Sequence, residues 1–198
     1  MSLRSAIRDD FAAWSERTEV PLHWWKLIGI PVQPSLLVVL IFRLSQWLAA
    51  VHLGPFARVL YALNMYFLGC EIRPEVRIGT GLFIPHPIGV IVGAGTIIGR
   101  NAVLGPRAGL GAPDERGWPV LGDNVTMFTN SSVLGGVRVG DDVVIGAHAL
   151  VIADVPSGAL VAGVPAHVIR QLTPEEINAR RRRADRSPVA PADPASER

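Results

Sequence analysis

Of the five histidines in the chain, His86 is the one whose surroundings suit chemistry. Pro85 and Pro87 flank it, and two prolines restrict the backbone that carries the imidazole. An ordinary imidazole titrates near neutrality, so a held one can take a proton from a hydroxyl group. The competing reading is a structural histidine at a corner. His23 and His52 lie in helical-type sequence without a polar constellation, His148 follows Ile145-Gly146 on the outside of a repeat, and His167 belongs to the closing segment. Neither a Ser-nucleophile elbow nor a phosphate-cradling loop is present. A metal centre would need a closely spaced His pair with a third His, whereas the histidine nearest to His86 is His52. No metal is expected. The single cysteine, Cys70, reads as a small packed hydrophobe.

The elements that must position His86 show in a six-residue beat. Val92-Gly93, Ile98-Gly99, Leu104-Gly105 and Leu110-Gly111 follow one another, and the beat resumes at Leu121-Gly122, Met127, Val133, Val139-Gly140, Ile145-Gly146 and Val151. A period of six fits neither a 3.6-residue helix nor an alternating strand. It fits a parallel β-helix, in which each hexapeptide is one flat side and the aliphatic residue points inward. Two departures matter. Ile78 to Val92 spans 14 residues, two too many, and holds His86; Leu110 to Leu121 spans 11, five too many, and predicts a loop within residues 112–118. Solenoids bind ligands at such corners. A His base needs a carboxylate to fix its tautomer. Glu71 precedes His86 by 15 residues, close to one coil of three hexapeptides, so the two are expected to stack nearly above one another.

Three regions follow: an α-helical segment over 1–69, the β-helix over 70–171, and a short helix with an Arg/Pro-rich tail over 172–198. Residues 1–33 are mixed, with a short amphipathic helix over Ser5–Trp14 and packing residues Trp24 and Trp25. Helices are predicted over 35–51 and 56–69 with Gly54-Pro55 between them. Their apolar stripe is too wide to stay bare. It either packs against the coils or a neighbouring subunit, or docks on a membrane surface with Arg43 and Arg58 near the headgroups. The apolar run Leu36–Phe42 is far short of the roughly 18–20 residues that span a bilayer. Thr173-Pro174-Glu175-Glu176 opens a helix, and 184–198 reads as disordered.

The 198 residues are 49% hydrophobic and 18% charged with a net charge of +2, which excludes a disordered or nucleic-acid-coating chain. One cysteine and no signal-peptide form suit the cytoplasm, with attachment to the inner membrane face left open.

From Cys70 to Gln171 the chain resembles the left-handed β-helix acyltransferases of the hexapeptide-repeat type, most closely the serine acetyltransferases. Glu71-Ile72-Arg73-Pro74, Ile78-Gly79-x-Gly81 and His86-x-x-Gly89-Val90-Ile91-Val92-Gly93 carry the resemblance, with Val155-Pro156 and Ala162-Gly163-Val164-Pro165-Ala166 closing it. The resemblance implies a homotrimer, or two paired trimers, with acetyl-CoA as co-substrate in the groove between coils. It makes His86 the catalytic base with Glu71 in support. It also places Gly111, Thr129 and Ala147 along the pantetheine path, with Arg170 at a CoA phosphate.

The chain departs from that family at the acceptor. The family's Asp before the catalytic His is Pro85, its Arg-His in the extruded loop is Gly117-Trp118, and its acidic residue after Val-Val-Gly is Ala94. Charges that would hold the serine zwitterion are thereby removed. Pro85, Arg116 and Trp118 would then meet the acceptor, and an indole suits a sugar ring or an apolar group. The expectation is an acyl-CoA-dependent O-acyltransferase acting on a saccharide or another non-serine alcohol, small or glycan-borne. The alternatives are serine acetylation for cysteine synthesis and a non-catalytic scaffold.

Overall fold

The computed structural model describes residues 2–19, 33–112, 115 and 117–185. Three helices precede the coils: α1 (Leu3–Thr18), α2 (Pro34–Ala50) and α3 (Gly54–Leu68). The Ser2 hydroxyl caps α1 by accepting the Ser5 amide at 3.2 Å. Leu36, Val38, Val39 and Phe42 of α2 are buried, and Val38, Val39 and Phe42 join the core of the coils.

The β-helix has three faces of parallel strands. The first is formed by Glu71–Ile72, Ile91–Val92, Gly109–Gly111, Ser132–Leu134 and Leu150–Val151. The second comprises Arg77–Ile78, Ile97–Ile98, Val120–Leu121 and Arg138–Val139. The third runs through Val103–Leu104, Thr126–Met127, Val144–Ile145 and Ala159–Gly163, and ends on the antiparallel strand Ala166–Gln171. Every aliphatic residue of the six-residue beat points inward, from Val92 and Leu104 at 0% exposure to Val139 at 3%. These methyl-rich stacks are the hydrophobic driving force of the fold, each fully buried side chain contributing about 1.5–3 kcal/mol. Together they form the left-handed β-helix.

Corners between faces turn through left-handed residues. Asn101, Asn124 and Asp142 make one such column, and Asn101 Nδ2 donates to Asn124 Oδ1 while Asn124 Nδ2 donates to Asp142 Oδ1, each at 3.1 Å. Short polar side chains tolerate this conformation and bond to each other along the stack.

A buried ion pair fastens the helices to the coils. Arg43 of α2 donates through Nε to Asp10 Oδ2 of α1 at 2.7 Å, and through its other nitrogens to the carbonyls of Ile78 and Gly79. Asp10 Oδ1 accepts the Leu82 amide at 2.9 Å. Burial pushes the Asp10 carboxyl up, against the Arg43 and backbone hydrogen bonds that pull it down. Of the two readings of the apolar stripe, the one that set Arg43 at lipid headgroups is overturned for that residue: its side chain is 1% exposed and neutralised inside the protein. The α2 stripe packs on the coils. The outer side of α3 stays bare, with Phe56, Val59, Tyr66 and Phe67 all more than half exposed. Among the described residues no helix is long and apolar enough to cross a membrane.

After the closing strand comes α4 (Pro174–Asp185). Thr173 and Glu176 form a reciprocal cap: the Glu176 amide donates to Thr173 Oγ1 and the Thr173 amide to Glu176 Oε2. Trp24 and Trp25 and residues 186–198 of the tail lie outside the described residues.

Candidate active site

His86 stands at the corner joining the third face to the first, between the bridge residue Phe83 and strand Ile91–Val92. Ile84, Pro87 and Val90 are buried and anchor this corner, so its two supernumerary residues bulge outward and carry the imidazole into solvent. The segment is tied on both sides. Above it, the Gly89 amide donates to Gly69 O at 2.7 Å and the Glu71 amide to Val90 O at 2.8 Å; below it, the Arg107 amide donates to Ile88 O at 3.1 Å. Gly89 has φ +76°, and a Cβ there would come 2.8 Å from Arg107 Cγ, so the close passage of the Arg107 stem requires glycine.

The expected stacking of Glu71 on His86 is corrected. The parallel register pairs Glu71 with Ile91, 20 residues on, because the corner's two extra residues lengthen the first coil from 18. Glu71 lies at the head of the first face, next to the His86 corner, but no hydrogen bond joins the two side chains. Its Oε1 instead accepts the hydroxyl of Tyr61 from α3 at 2.9 Å. Burial, and then the Glu71 bond, push the Tyr61 hydroxyl up, so it stays a neutral donor. Tyr61 was not visible as a site residue in the sequence, where it is one aromatic among the apolar positions of α3.

The other candidates divide between two corners. Thr129 and Ala147 follow one another in successive coils on the same corner as His86, where the His148 amide donates to Thr129 O at 2.9 Å. Pro85 adjoins His86 there, half-buried. Gly111 ends its strand at the far side of the first face, and the five-residue excess emerges beyond it, before Val120–Leu121, as the spacing predicts. Trp118 of that loop lies across Gly93 and Gly95 of the preceding coil, where a Cβ at either glycine would overlap the indole. His86 and Trp118 thus flank the first face from opposite ends. Arg116 lies outside the described residues. Arg170 donates to both carboxylate oxygens of Glu176, at 2.6 and 2.7 Å, so a phosphate would have to compete with that carboxylate. Among the described residues no group of three or more His, Cys, Asp or Glu is placed to hold a metal.

An exposed imidazole on a β-helix corner is an arrangement suited to acyl transfer. The chain is 33% identical over 171 residues to the serine acetyltransferase of Helicobacter pylori strain J99, a match covering 85% of this chain and 94% of that protein. The chain belongs to the serine acetyltransferase family. It is an O-acetyltransferase, and the acyl donor of this family is acetyl-CoA. Two solved structures carry the likeness into three dimensions. Soybean serine acetyltransferase complexed with serine superposes with a TM-score of 0.77 at 28% identity, covering 85% of this chain and 70% of that one. Serine acetyltransferase from Brucella abortus in complex with coenzyme A gives 0.76 at 26%, covering 86% and 68%. No protein-family model matches the chain.

Proposed function

We propose that this chain transfers the acetyl group of acetyl-CoA to the hydroxyl of L-serine, with His86 as the general base. The observation that carries the reading is the match to the Helicobacter serine acetyltransferase along 94% of that protein, helices and coils together. The relatives and solved structures described above are serine acetyltransferases, which favours serine over the saccharide acceptor expected from the substituted positions. In the reaction His86 accepts the serine hydroxyl proton as the oxygen attacks the thioester carbonyl. The tetrahedral intermediate then expels the CoA thiolate, which takes the proton back from the imidazolium, giving O-acetylserine and CoA. Thr129 and Ala147 line the pantetheine path along the same corner. Thiol release from acetyl-CoA tests the reading: serine-dependent turnover supports it, and turnover with sugars alone overturns it.

One observation favours a second acceptor class. The Trp118 indole covers the Gly93–Gly95 backbone, with no charged side chain at 117, 118 or 94 to meet a zwitterion. An uncharged alcohol is that second reading.

We infer that the working unit is a homotrimer in the cytoplasm, where acetyl-CoA is made and used. Support comes from the separation of His86 and Trp118 by a whole face: one chain cannot bring both to a single small acceptor, and a neighbour's loop can. The bare apolar side of α3 supports the same contact. Its Phe67 leads through Gly69 to the His86 corner, where exposed Ile88 abuts Gly69. We assign this side to a neighbouring subunit in preference to a membrane.

A further inference from the structure

We propose that Tyr61 is a positioning residue, holding the Glu71 carboxylate where it can support His86; this rests on the reading of His86 as the general base. Strand Glu71–Ile72 turns Ile72 inward, at 1% exposure, and therefore Glu71 outward beside the His86 corner. A glutamate there has several free torsions and, by itself, no fixed direction. The Tyr61 hydroxyl removes that freedom by donating to Oε1 at 2.9 Å.

The donor is itself held on two sides. Asn64, less than one turn along α3, donates its side-chain amide to Val38 O of α2 at 3.0 Å, which fixes the helix. The Arg73 guanidinium lies 5.9 Å from the Tyr61 ring centre, on the far side of Glu71 in sequence. A neutral phenol that donates to one carboxylate oxygen leaves the second oxygen, Oε2, available. A carboxylate fixed beside the corner can accept a hydrogen bond from the N–H of one imidazole nitrogen. That selects the tautomer whose other nitrogen is the base. The helical segment thereby contributes directly to the site: it supplies the phenol that orients the carboxylate.

The test combines Tyr61→Phe, Glu71→Gln and the double variant, with kcat and KM for acetyl-CoA and L-serine. Tyr61→Phe is expected to lower kcat about tenfold, a part of the roughly 10²–10⁴ a general base supplies, with both KM values unchanged. In the Glu71→Gln background the same change should have no further effect. Unchanged kcat in Tyr61→Phe, or losses that add fully in the double variant, would overturn the proposal. Nitrogen-15 NMR of the His86 imidazole tautomer in the wild type and in Tyr61→Phe gives a reading that needs no turnover. A changed tautomer in the variant supports the positioning role, and identical tautomers refute it, whichever alcohol is the acceptor.

Discussion

His86 and Trp118 stand at opposite ends of the first face, at two different corners of the same triangular coils. Within one chain the proposed base and the loop proposed to meet the acceptor cannot share a small substrate. A trimer that inserts the Trp118 loop of one subunit beside His86 of the next resolves this geometry. Sedimentation equilibrium should therefore give a mass three times that of the 21.3 kDa chain, or six times if trimers pair. A fully active monomer would contradict the shared site.

Trp118 is held by what is missing beneath it. Gly93→Ala and Gly95→Ala place a Cβ where the indole now lies, so either change must expel the ring. Both variants should keep their coils, since neither glycine has a positive φ. The KM for the acceptor is expected to change about tenfold or more, one substrate contact being worth about 1–3 kcal/mol, while the KM for acetyl-CoA stays put. Equal acceptor kinetics in all three proteins would remove the loop from the site.

The Asp10–Arg43 pair carries the attachment of the helices. Arg43→Met should cost about 3–5 kcal/mol, because it strands a buried carboxylate and frees the Ile78 and Gly79 carbonyls. Urea unfolding reads this directly. An unchanged midpoint would mean that the helices are held by apolar packing alone.

Acid should release the closing segment before the coils. The Arg170 guanidinium, with the Thr173 amide, holds the Glu176 carboxyl down to about 2 from an ordinary 4.5. A depressed carboxyl stabilises the folded state above its unfolded value, and that contribution is lost as pH falls from 4.5 through about 2. In Glu176→Gln the pH dependence of stability should flatten in that window. The variant also frees Arg170, so CoA should bind more tightly if this cation meets a phosphate. A Glu176 that titrates at its ordinary value would break the argument.

The β-helix was legible in the sequence because each beat residue has one inward direction and one stacked neighbour. Val92, Leu110, Val133 and Val151 reveal a face without any tertiary knowledge. The loop after Gly111 was legible for the same reason, as a count in excess of six. The Glu71–His86 stacking was misjudged because a count of 15 against 18 ignores where extra residues bulge; the ladder skips the corner and pairs Glu71 with Ile91. The two placements of the α2 stripe stay open in the sequence because a lone arginine in an apolar helix looks like a surface residue until its partner, 33 positions earlier, is known. Tyr61 could not be read at all, since nothing in the spacing of α3 marks the one aromatic that faces a carboxylate.

The most direct test of the whole account is thiol release from acetyl-CoA with L-serine, comparing the wild type with His86→Ala. The account predicts serine-dependent release by the wild type. It predicts a loss of about 10²–10⁴ in kcat for the variant, with CoA binding retained. Undiminished turnover in His86→Ala, or a wild type that acetylates sugars and ignores serine, would contradict it.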